Sequence, residues 1–98
     1  MTTIIFNIDQ KRAYALDGET EIGEATFSVS PNLWIIDHTW VNDDYRGQGI
    51  AKKLVEKIVE AARQAEVKIT ATCVYAQKLF LSTSSYDDVV LPEQKTME

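Results

Sequence analysis

A chain of 98 residues, 45% hydrophobic and 26% charged, has room for one packed core and no second domain, and its composition is that of a folded protein rather than a disordered one. A net charge of −5 disfavours nucleic acid and anionic membrane as partners, because both are held by clustered Lys and Arg. Cys73, the one cysteine, excludes an internal disulfide and fits a reducing compartment such as the cytoplasm, and Met1-Thr2-Thr3-Ile4-Ile5-Phe6 has neither the basic start nor the long apolar run of a targeting segment.

In chain order, Ile4 to Ile8 and Arg12 to Leu16 alternate apolar and polar residues at period two, which predicts two strands joined by the short turn Asp9-Gln10-Lys11. Asp17-Gly18-Glu19 is a hairpin signal and leads into a third strand over Ile22 to Val29, in which Ala25, Phe27 and Val29 share one face. Ser30-Pro31-Asn32 breaks it. Leu33 to Val41 follows as a fourth strand whose Leu33-Trp34-Ile35-Ile36 run is apolar on both faces, as in a central strand. The first half therefore reads as an antiparallel meander.

From about Gly47 to Ala65 the period changes to that of a helix. Ile50, Leu54 and Ile58, flanked by Ala51, Val55, Val59 and Ala62, form a stripe to bury, while Lys52, Lys53, Glu56, Lys57, Glu60 and Arg63 form a mixed-sign solvated face. Val67 to Val74 is a fifth strand, and a strand-helix-strand crossover makes it parallel to the fourth. Tyr75 to Leu81 reads as a short helix, Ser82 to Ser85 as a loop, Tyr86 to Leu91 as an added edge strand, and 92–98 as a frayed tail of the single domain 1–98. The fold class is mixed α+β.

The stretch Val41-Asn42-Asp43-Asp44-Tyr45-Arg46-Gly47-Gln48-Gly49-Ile50-Ala51 joins the most apolar strand to the long helix. Amides in the first turn of a helix have no intrahelical acceptor and sit at the positive end of the peptide dipoles, so such a junction suits phosphate. Gly47 and Gly49 allow close approach, and Arg46 adds a fixed positive charge. A dinucleotide fingerprint would need a third glycine where Lys52 stands, and the nucleotide-triphosphate loop would need Gly-Lys-Ser/Thr; both are absent.

The pattern Arg/Gln-x-x-Gly-x-Gly/Ala is met by Arg46, Gly49 and Ala51 after a strand ending in Val41. It resembles the acyl-coenzyme A signature of the GNAT superfamily of N-acetyltransferases. With His38-Thr39-Trp40-Val41 before it and Cys73 closing the next strand, the chain is similar to the small single-domain GNAT-like subfamily over nearly its whole length. The resemblance implies a minimal GNAT fold in which the fourth and fifth strands splay to form an acyl-coenzyme A cleft. It implies that Arg46, Gly47, Gln48, Gly49, Ile50 and Ala51 hold pyrophosphate, and that the backbone around Trp40 and Val41 pairs with the pantetheine arm. The activity implied is acetyl transfer from acetyl-coenzyme A to a primary amine, on a small molecule or a protein, without a metal. The alternative is a non-catalytic acyl-coenzyme A binding module.

Two departures support that alternative. Larger relatives place helices between the first two strands, where this chain has only Asp9-Gln10-Lys11, so the acceptor side is expected to be open. They also carry Ala-x-x-Leu-Tyr in the late helix, with the tyrosine as acid, whereas Ala76-Gln77-Lys78-Leu79-Phe80 ends in phenylalanine. His38 and Cys73 are the candidate catalytic residues, expected to flank the acyl end of the cleft. Each also has an ordinary structural reading, as a satisfied strand histidine and a small core hydrophobe. Tyr75 and Tyr86 are the other phenols that could serve as acids; Asp43 and Asp44 shape the turn, and Trp34, Trp40 and Phe27 are core or cleft-wall residues.

Overall fold

The computed structural model describes residues 2–91. The meander forms as expected: β1 (Thr2–Asn7), β2 (Arg12–Asp17), β3 (Thr20–Ser30) and β4 (Leu33–Val41) pair antiparallel in sequence order. The helix α1 (Ile50–Ala65) then crosses over to β5 (Lys68–Ala71), which pairs parallel to β4 and completes a five-stranded sheet. A second helix, α2 (Val74–Ser82), follows.

One face of the sheet carries α1. The stripe Ile50, Leu54, Val55, Ile58, Val59 and Ala62 is buried as its spacing predicts. Beneath it the sheet is made of small residues, because Ala13 pairs with Ala25 and Ala15 with Gly23, so the helix lies close to the backbone. At the other end of this face Phe6, Phe27 and Trp34 stack, with ring centroids 4.8 Å apart for Phe27 and Trp34 and 5.7 Å for Phe6 and Phe27. The opposite face carries Arg12, Tyr14, Glu24, Thr26, Ser28, Asp37 and His38, none of them buried. Leu33 and Ile35 of β4 are only half-covered, so the strand is buried on one face rather than on both.

Strand ends shift by a residue or two in β1 to β3, and three larger differences from the sequence reading bear on the site. The long helix starts at Ile50, since Gly47 and Gly49 adopt positive φ and a 3-10 turn occupies Asp43–Tyr45. The strand expected over Val67 to Val74 ends at Ala71, because the amides of Thr72 and Cys73 both turn to Ile36 O and Cys73 caps α2. The edge strand expected over Tyr86 to Leu91 is reduced to one bridge between Ile69 and Val90. Side-chain bonds explain the last of these: Tyr86 OH donates to Glu56 at 2.7 Å and Arg63 Nε to Asp88 at 2.7 Å, which draw this segment towards α1 and into a turn. The tail expected over 92–98 lies outside the described residues.

Gly23 sets the distance between helix and sheet. A Cβ there would meet Trp40 O at 3.2 Å, Ile50 Cγ2 at 3.3 Å and Leu54 Cδ1 at 3.3 Å. Gly23→Val should therefore destabilise the fold by about 1–3 kcal/mol, the usual range for overpacking, measurable as a lower denaturant midpoint. An unchanged midpoint would show that α1 can retreat without loss.

Candidate active site

The pairing of β4 with β5 runs from Leu33/Lys68 to Ile36/Ala71 and then stops. The stop coincides with a bulge, because Thr26 pairs with His38 and Phe27 with Ile36, leaving Asp37 unmatched. Thr26 Oγ1 and Ser28 Oγ both donate to Asp37, at 2.5 and 3.0 Å, which fixes the bulge. Beyond it β4 continues to Val41 with no strand beside it on the β5 side among the described residues. The two strands part as expected.

A cleft of about 440 Å³ opens at this parting, lined by Thr39, Trp40, Val41, Tyr45, Arg46, Gly47, Gly49, Ile50, Ala51 and Tyr75. Asn42 N donates to Ile22 O at 2.8 Å. Since backbone groups alternate in direction along an antiparallel strand, Trp40 also turns its N–H and C=O to β3, and those of Thr39 and Val41 point into the cleft. The backbone edge expected around Trp40 and Val41 is therefore presented by Thr39 and Val41.

At the other end of the cleft stands the N-terminus of α1. Its first helical bond is Lys53 N to Gly49 O, so the amides of Ile50, Ala51 and Lys52 have no acceptor within the helix. Gly49, the N-cap, offers no side-chain acceptor, and the first turn has no acidic residue. Gly49 at φ 74° and Gly47 at φ 83° leave open space where a Cβ would stand. Free donors, a positive dipole end and glycine clearance are what a phosphate requires, so the residues present fit a pyrophosphate. Arg46, exposed beside them, pairs with Asp43 at 2.9 Å. Gln48 is exposed and does not line the cleft.

The two candidate catalytic residues are not brought together. Cys73 is half-buried, with Sγ 3.4 Å from Thr39 Oγ1. His38 is exposed and shares the face of Thr26, opposite to that of Thr39 and its buried partner Ala25. Phe80 is fully buried against the edge of Tyr86, with centroids 5.9 Å apart, so a phenol at that position would enter the core rather than the cleft. Two phenols line the cleft: Tyr45, whose OH is engaged by Asp17, and Tyr75; burial, then the charges of Glu56 and Cys73, raise the Tyr75 pKa above the ordinary value and keep it protonated. Thr39 and Tyr45 are lining residues that motif reasoning missed. Period-two alternation along β4 from the buried Trp34 and Ile36 points to His38 and Trp40, and only the bulge at Asp37 brings Thr39 to that face instead; nothing local marks Tyr45.

Residues 12–89 match the family model of the GCN5-related N-acetyl-transferases. Protein NATD1 of Gallus gallus and of Mus musculus is 38% identical over 50 residues, which are 51% of this chain and 46% of that protein. The chain thus spans about half the length of these relatives. The solution structure of a GCN5-like protein from Staphylococcus aureus, 36% identical, has a TM-score of 0.73 and covers 91% of this chain and 87% of its own. The PaiA N-acetyltransferase of Thermoplasma acidophilum in complex with coenzyme A, at 16% identity, shares the fold with a TM-score of 0.54 over 57% of this chain and 35% of its own.

Tyr45 OH donates to Asp17 Oδ2 and ties the turn before the glycines to the β2–β3 hairpin. The same bond lowers the Asp17 pKa. A lowered folded pKa means stability that is present above the unfolded value, about 3.9, and lost as pH falls through the folded one. Tyr45→Phe should thus flatten the dependence of stability on pH below about 4. Urea unfolding at several acidic pH values measures it, and an unchanged slope would deny the tether its part.

Proposed function

The chain belongs to the GCN5-related N-acetyltransferase family, and on that premise we propose that it moves acetyl from acetyl-coenzyme A to a primary amine. The observation that carries this reading is the uncapped N-terminus of α1 at one end of the cleft left by β4 and β5. In this reading the amides of Ile50, Ala51 and Lys52, with Arg46, take the pyrophosphate, and the exposed edge of Thr39 and Val41 takes the pantetheine amides as an added strand would. Trp40 forms the wall of the mouth.

Acetyl-coenzyme A supplies an activated thioester carbonyl. An N–H of the free β4 edge polarises it, as a backbone donor in an oxyanion hole does. The acceptor amine arrives from the uncovered face of the sheet, where His38 stands one residue beyond the bulge and takes the amine proton as the C–N bond forms and the C–S bond breaks. Tyr75 donates a hydrogen bond to the departing sulfur. Its phenol is a weaker acid than an ordinary thiol near 8.5, so it stabilises the thiolate without giving up its proton, and solvent completes the protonation. Cys73 stands behind Thr39 and forms no bond to the acyl group, and transfer is direct. The uncovered acceptor face and the buried Phe80 favour slow turnover over the rates of larger relatives.

Gly49→Val should abolish calorimetric binding of coenzyme A in a folded protein, because a β-branched side chain both strains positive φ and fills the cradle. Wild-type affinity in that variant would refute the phosphate site. Arg46→Ala should weaken binding by about 1.5–3 kcal/mol, the range for a bond to a charged group.

Acetylated products should appear by mass spectrometry when acetyl-coenzyme A is incubated with a panel of amines and peptides. Tyr75→Phe should lower the rate roughly 10- to 100-fold, the equivalent of one charge-assisted bond. Binding without any acetylated amine would make the chain an acyl-coenzyme A binding module instead. A transient acetyl adduct on the intact protein, absent in Cys73→Ser, would replace direct attack by a covalent route.

A further inference from the structure

The cleft is closed at its inner end. Where β4 and β5 part, Ile36 O accepts from Thr72 N at 2.9 Å and Cys73 N at 3.2 Å, and Gln77 Nε2 donates to Ala71 O at 2.9 Å. The backbone acceptors at the point of parting are therefore engaged. Thr39 is the deepest of the β4 residues that line the cleft, and its Oγ1 meets Cys73 Sγ across the gap at 3.4 Å. Cys73 itself is half-buried and lies outside the lining. A β-branched side chain has little χ1 freedom on a strand, and the sulfur contact removes more of it, so Thr39 cannot swing aside freely.

We infer that Thr39, braced by Cys73, is the stop that limits the acyl group to acetyl size. This rests on the reading above, in which an acyl-coenzyme A lies along β4 with its phosphates at α1. From that end the arm runs along Val41 towards Thr39, and an acyl chain longer than acetyl must either displace the Thr39–Cys73 contact or stay out of the cleft. A pocket that ends in a fixed wall discriminates by about tenfold or more against added methylenes.

The test is calorimetric titration with coenzyme A, acetyl-coenzyme A and hexanoyl-coenzyme A. Wild type should bind the first two with similar affinity and hexanoyl-coenzyme A about tenfold or more weakly. Thr39→Gly and Cys73→Ala should bring the hexanoyl to acetyl ratio to within about threefold, while Thr39→Val, which keeps the bulk, should retain the wild-type ratio. A residue that merely supports the fold would weaken all three ligands together and leave the ratio alone. Cys73→Ala keeps the test decisive if Thr39→Gly fails to fold, as judged by circular dichroism. Equal affinity of wild type for the acetyl and hexanoyl thioesters, or an unaltered ratio in a folded Thr39→Gly or Cys73→Ala, overturns the stop while leaving the phosphate site standing. Failure of wild type to bind coenzyme A at all refutes the site reading, and the stop with it.

Discussion

The parallel ladder between β4 and β5 ends at Ile36 and Ala71, and that short ladder decides where everything else can act. Had β5 run on beside β4, the backbone groups of Thr39 and Val41 would be spent on pairing. Instead the bulge at Asp37 redirects β4 just as β5 turns into α2, so the second half of β4 is left as an open strand edge. Such an edge is available to a ligand with amides of its own.

The second feature is a fixed, uncapped helix N-terminus at the outer end of that edge. It depends on the packing of α1, whose burial against the small residues of β2 and β3 points its N-terminus at the mouth of the cleft. The bond from Tyr45 to Asp17 holds the intervening turn from the other side. Both devices determine where Gly47 and Gly49 stand.

Much of this was legible in the sequence, for identifiable reasons. Period-two alternation marked the meander, and the apolar stripe of α1 marked its buried face residue by residue, because both patterns report burial directly. The geometry of the glycine junction was legible because an uncapped helix start and left-handed glycines are set by the backbone alone. What escaped were features made by distant partners. The early end of β5 depends on Ile36 O capturing two amides, the turn over Tyr86 to Leu91 depends on Glu56 and Arg63 of α1, and the burial of Phe80 depends on Tyr86. His38 and Cys73 sit near the ends of adjacent strands in sequence, yet the bulge and the alternation of β4 put them on opposite sides. Spacing along a chain does not reveal a bulge on a neighbouring strand.

The small residues beneath α1 have a consequence in entropy as well as in distance. Ala13, Ala15, Gly23 and Ala25 have no side-chain rotamers to lose on folding, so the sheet side of the interface that aims the helix is ordered without that cost. The phosphate proposed at Gly49 would meet donors already in place, with little of its binding free energy spent on ordering them.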